Sequence, residues 1–200
     1  MTEPVVGATF TGEDWYGEDL GAAAYRECTF RDVDLTESRS KGATFESCVF
    51  DGCRLNASQH TASAFAGCDF RGTSFFDATL DGCKLVGSVF VRCTVRPLTV
   101  TGGRWRGVTL RGAKLDGQVL DGVDLSEADL ADADLTGASL RGCDLSGATL
   151  RGATLTGADL RGATLSGADV DSARWRGARV DLAGAVVLAE SLGVVVDDRG

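Results

Sequence analysis

The chain has one histidine, one methionine and two prolines in 200 residues. A single His60 rules out histidine-paired zinc motifs, and no C-x-x-C pair stands in for them among the seven cysteines. A nucleophile–histidine device needs an orienting acid that the sequence does not place beside His60. No H-E-x-x-H, G-x-S-x-G or EF-hand pattern occurs, and no Gly-Lys-Ser/Thr follows a Walker spacing. The Gly-Gly-x-Gly-x-Asp nonapeptides of calcium β-rolls are also missing. The expectation is a non-enzyme without cofactor or metal. Apolar runs fall short of the ~20 residues that span a bilayer. Residues 1–9 lack a charged segment followed by an apolar one, so a cytoplasmic chain with no membrane contact is expected. Positive charge is scarce as well. A net charge of −9 argues against gripping nucleic acid through its phosphates and permits a basic partner.

What the chain does have is a five-residue rhythm. From Leu120 to Val170 every fifth residue is Leu or, at the end, Val. Two before each subsequent one sits Ala, Cys or Val, and two after it most often sits Gly. Five steps on an α-helix turn the face by roughly 140°, which would scatter the leucines. In an unbroken strand the leucines would alternate faces. A short strand followed by a corner satisfies the pattern, with Gly allowing the positive φ of a tight turn. The frame runs without a slip from Phe10 to Val180, and 33 of its 35 centres are large and apolar, the exceptions being Ser40 and His60. Phe10, Phe30, Phe50, Phe70 and Phe90 add a twenty-residue period, as do Cys28, Cys48 and Cys68. Four pentapeptides per coil, stacked coil on coil, make an all-β solenoid.

These A-(D/N)-L-x-x pentapeptides resemble the pentapeptide-repeat family over nearly the whole chain. The resemblance implies a right-handed quadrilateral β-helix. Residues 87–93, running into 96–99, and the tail from Gly177 through the apolar run to Leu192 resemble one branch of that family, linked to mycobacterial fluoroquinolone resistance. Members of that branch bind DNA gyrase and imitate DNA, so the resemblance implies gyrase as partner and a dimer. The other reading is a rigid scaffold that presents one wall to a different protein.

The expected layout is a repeat array over 1–180 and a helix with tail over 181–200. All seven cysteines hold the inward position two before a centre, so they are expected to be free and buried. The Phe ladder reads as core, and Ser40 and His60 as a small polar patch on one wall. Glu13 and Glu18 fall on inward positions, where a buried carboxylate is expensive, so the first coil is expected to be frayed or open. Pro97 and Gly102-Gly103 predict a bulge, bend or loosened coil at 96–104. Charge comes in blocks: net −6 from Glu3 to Ser40, +5 over 41–115 and −8 over 116–200. Asp116, Asp121, Asp124, Glu127, Asp129, Asp132 and Asp134 have no base among them. With Asp144, stacked over Asp124, they form the candidate surface for a basic partner. Asp181 can cap a helix over 182–192 that Gly193 ends. Val186, Val187, Leu188, Leu192, Val194 and Val196 give this end more apolar surface than a cap needs, and are the candidate dimer contact.

Overall fold

A computed structural model describes residues 3–197. The chain folds as a parallel-strand β-solenoid closed by one short C-terminal helix. Every pairing joins residues twenty apart, from Val5↔Tyr25 at one end to Asp159↔Arg179 at the other. Strands Thr9–Thr11, Thr29–Arg31, Val49–Asp51, Asp69–Arg71 and Val89–Val91 form a five-stranded sheet on one wall. One four-stranded sheet, through Tyr25, Phe45 and Phe65, forms the wall before it in each coil, and the other, through Ser40, His60, Leu80 and Val100, forms the wall opposite. The remaining wall, through Asp14, Asp34, Arg54, Ser74 and Thr94, is held by isolated bridges. Beyond Arg104 all four walls pair in that way. There the centre's carbonyl accepts from the amide three residues on, as in Ala113 N–H to Leu110 at 3.1 Å. The turn this closes needs positive φ at its third residue, and Gly112 supplies it at 65°.

The centres fill the lumen. Phe30, Phe50, Phe70 and Phe90 stack with ring centroids 4.7–4.8 Å apart, the spacing of neighbouring strands. A second ladder joins Tyr25, Phe45 and Phe65 at 5.1 and 4.8 Å. Six of the seven free thiols are buried, and Cys93 is half-buried. The buried thiols still find acceptors, because each lies under the carbonyl 23 residues earlier. Cys53 donates to Phe30 at 3.3 Å, Cys83 to His60 at 3.2 Å and Cys143 to Leu120 at 3.0 Å. Burial pushes Cys53, Cys83 and Cys143 up to about 11, away from the reactive thiolate.

In two places the structure selects among the alternatives that the sequence leaves. The first coil is open but not frayed: Asp14↔Asp34 and Asp19↔Arg39 bridge it to the second coil, and Glu13 and Glu18 are exposed, with nothing among the described residues over that end. Around 96–104 the pairing does not slip, since Ala78–Asp81 pairs with Leu98–Thr101 at the same offset of twenty. The disturbance is in packing instead. Phe90, Leu98 and Val100 are 8–9% exposed, whereas Phe70 and Leu110 are sealed. Gly103 takes φ 113°, and a Cβ there would stand 2.5 Å from the Cys83 carbonyl and 3.3 Å from the Trp105 indole nitrogen. Glycine at this inward position is what leaves room for the large Trp105 centre.

The helix spans Leu182–Ser191. Asp181 caps it by accepting from Gly184 N–H at 2.9 Å and reaches back to Gly162 N–H, also at 2.9 Å, which ties the helix to the preceding coil. Gly193 N–H to Glu190 and Val194 N–H to Ala189 close its end as a Schellman motif, with Gly193 at φ 80°. Residues 1–2 and 198–200 of the expected layout lie outside the described residues.

Candidate protein-binding surface

Outward side chains stand on either side of each centre, so the wall a residue faces follows from its place in the twenty-residue coil. The eight candidate carboxylates do not share one face. Asp124 and Asp144 stack on one wall as expected, directly bridged. Going round the coil, Glu127 lies at the corner after them. Asp129 follows on the next wall and Asp132 at the corner after it, Asp134 and Asp116 on the third wall and Asp121 on the fourth. The band is a collar around the rod.

The collar is also largely paired. Arg106 meets Glu127 at 2.6 Å, Arg111 meets Asp129 at 3.1 Å and Asp132 at 3.9 Å, and Lys114 meets Asp134 at 3.6 Å. Arg96 pairs with Asp116. Each base comes from the coil before, 18 to 21 residues earlier. The Arg106 guanidinium holds the Glu127 carboxyl below its usual value. Such exposed pairs add little to stability, but they weaken the local negative field. Asp121, Asp124 and Asp144 have other partners. Asp121 accepts from Ser139 Oγ at 2.6 Å and Arg141 N–H at 3.0 Å. Asp124 accepts from Ser126 Oγ at 2.6 Å, and Asp144 from Ser146 N–H at 2.9 Å. The Ser146 hydrogen bonds hold Asp144 below the usual carboxylate range. None of these three has a cation within 4.0 Å among the described residues, and they are the part of the candidate set open to a basic partner.

The candidate dimer residues also divide, with Val186 half-buried on the helix and the others in two groups. Val187 and Leu188 pack against the core and close the last coil, with Gly184 seated over Val180 and Leu165. Leu192, 84% exposed, and Val194 and Val196 remain outside. Leu182, 81% exposed, and Val195, 90% exposed, belong with them and were not in the expected set. An open groove of about 530 Å³ runs beside them, lined by Val170, Trp175, Leu188 and Leu192 among others. Among the described residues no helix is long and apolar enough to cross a membrane, and no cluster of three or more metal-ligating side chains forms.

Ser40 and His60 meet as expected. Ser40 Oγ lies 2.7 Å from His60 Nδ1, and His60 Nε2 lies 3.1 Å from Ser58 Oγ. Ser58 donates to the Leu55 carbonyl at 2.7 Å and therefore accepts from the ring, which fixes the proton on Nε2. Burial pushes His60 down to about 4. This sealed patch has no open side for a substrate.

The architecture defines a class: four-sided parallel β-solenoids whose outward side chains present surface and whose lumen is solid core. Within it the chain belongs to the pentapeptide-repeat family, whose model, described as pentapeptide repeats, matches in 8 copies at residues 61–90, 106–142 and 143–180. It is 44% identical over 100 residues to the pentapeptide repeat protein MfpA of Mycobacterium tuberculosis. That match spans 48% of this chain and 44% of the relative, less than half the length of either. Among solved structures it is similar to QnrB1, a plasmid-mediated fluoroquinolone resistance protein, with a TM-score of 0.73 at 23% identity over 97% of both chains. It is also similar to HetL, involved in heterocyst differentiation regulation in the cyanobacterium Nostoc, with a TM-score of 0.50 at 24% identity over 87% of this chain and 88% of that one. At these identities the two structures speak for the fold alone.

Proposed function

We propose that this rod is a DNA-mimicking binder and inhibitor of DNA gyrase. It acts in the cytoplasm without chemistry of its own and contributes to resistance against fluoroquinolones or other gyrase poisons. The observation that carries this reading is the set of outward carboxylates without a cation partner among the described residues, Asp121, Asp124 and Asp144, on a rigid rod of net charge −9. Coils stacked about 4.8 Å apart make a rod of roughly 42 Å. Two rods joined through Leu182, Leu192 and Val194–Val196 reach about 85–90 Å, comparable to roughly 25 base pairs of duplex. The MfpA likeness and the branch resemblance at residues 87–99 and 177–192 support gyrase as the partner. QnrB1, whose name carries fluoroquinolone resistance, shares the fold.

The test is inhibition of gyrase supercoiling by the purified protein and by a variant with Asp121→Lys, Asp124→Lys and Asp144→Lys. The parent is expected to inhibit. The variant, with an unchanged β-sheet circular dichroism spectrum, is expected to lose inhibition by at least about tenfold, the equivalent of 1.4 kcal/mol. Equal inhibition by both makes these carboxylates mere solvated surface. A second reading, a rigid scaffold for another protein, is favoured by the ion pairs that neutralise Asp116, Glu127, Asp129, Asp132 and Asp134. Recovery of a single unrelated partner in place of gyrase subunits from the host lysate would select it.

A further inference from the structure

The two ends of the rod are finished differently. The C-terminal coil lies under a helix, whereas among the described residues nothing covers the N-terminal coil. Strands Val5–Val6 and Thr9–Thr11 each pair on one side only, with Ala24–Arg26 and Thr29–Arg31, and so stand at the edges of their sheets. Phe10, Trp15, Leu20 and Tyr25, all only partly buried, form the floor of this end. Val5 is exposed, and an open groove of about 310 Å³ runs between Val5, Leu20 and Tyr25. A four-sided apolar face with unpaired backbone around it is a template for one more coil.

Two side chains break the pattern at this end alone. The inward position two before a centre holds a carboxylate only at Glu13 and Glu18. Glu13 is tethered there, since its Oε2 accepts from the Trp15 indole N–H at 2.9 Å. We propose that Glu13 and Glu18 are a guard against self-association: they keep the N-terminal end of one copy from stacking on the N-terminal end of another. The second copy is the occupant that fits, because the face has the outline of a coil and the other end of the rod is covered. Two such ends related by a two-fold axis would match apolar floor to apolar floor. Closing that contact would bury four carboxylates without counter-ions, a cost that keeps the ends apart. The guard matters because a rod adhesive at both ends forms open chains.

Light scattering at micromolar concentration tests this on the full chain, on Glu13→Ala/Glu18→Ala, which restores the repeat's own small residue, and on Glu13→Gln/Glu18→Gln. Wild-type mass is expected to stop at the C-terminal dimer. The alanine variant, at the same concentration, is expected to at least double that mass and to climb with concentration, and adding Val5→Asp is expected to reverse the gain. If wild type is a monomer, the same doubling is read from one chain, so failure of the dimer and failure of the guard stay distinct. Wild-type mass in an alanine variant that keeps its circular dichroism overturns the proposal. So does a mass gain that survives Val5→Asp. Should the alanine pair unfold, the glutamine pair gives the same two readings.

Discussion

Phe50→Ala is expected to destabilise the protein by about 3–5 kcal/mol. Its ring lies between Phe30 at 4.7 Å, nearly parallel at 5°, and Phe70 at 4.8 Å. It also meets Phe45 edge-on at 5.6 Å. Removing it opens a hole that the backbone cannot close, because Val49–Asp51 is hydrogen-bonded to a strand on each side at fixed spacing. Leu140→Ala probes the leucine half in the same way, with about 2–5 kcal/mol expected at a sealed centre. Thr149→Ala, at an outward position, is expected to cost no more than about 0.5 kcal/mol. Denaturant unfolding of the three variants reads all of these directly, and equal costs at Leu140 and Thr149 would contradict the inward–outward register.

The second large effect is a loss of stability in mild acid, traced to one residue. His60 is 1% exposed, and burial pushes it down to about 4 from an unfolded value near 6.5. A depressed histidine contributes stability that is complete above pH 6.5 and is lost as pH falls through 4. The loss is on the order of 3 kcal/mol, since each unit is worth about 1.4 kcal/mol. The lowered carboxylates act elsewhere on the scale. Arg54 and Thr36 hold Asp34 down to about 2, and Arg161 holds Asp159 well below its usual range, so their contributions fade below pH 4. His60→Leu, which supplies the repeat's usual centre under Leu80, is therefore expected to flatten unfolding free energy between pH 6.5 and 4. An unchanged slope in that variant would assign the acid sensitivity to other groups.

The core was legible because each inward residue repeats a local rule. Leu120 to Val170, the Phe ladder and the Ser40–His60 contact follow once twenty residues make a coil. The helix and its caps were readable from Asp181 and Gly193 for the same local reason. The electrostatics were not legible along the chain. Reading residues 116–134 in sequence finds no base, whereas the fold sets Arg96, Arg106, Arg111 and Lys114 against Asp116, Glu127, Asp129, Asp132 and Asp134. In a solenoid the neighbour of an outward residue is about twenty away, and those bases stand 18–21 residues upstream. Counting charge by column would have found the pairs and singled out Asp121, Asp124 and Asp144. At the C-terminus the sequence shows how much apolar surface there is. Only the docking of Val187 and Leu188 decides which part is cap and which part, Leu182, Leu192 and Val195, stays outside.

The mimicry itself is tested most directly by competition. Labelled protein is bound to purified gyrase at low salt and linear duplex DNA is titrated in. The account predicts saturable binding that duplex displaces and that weakens steeply as salt rises past about 0.15 M, because screened charges hold the complex together. Binding that persists at saturating DNA, or no binding to gyrase at all, would contradict it.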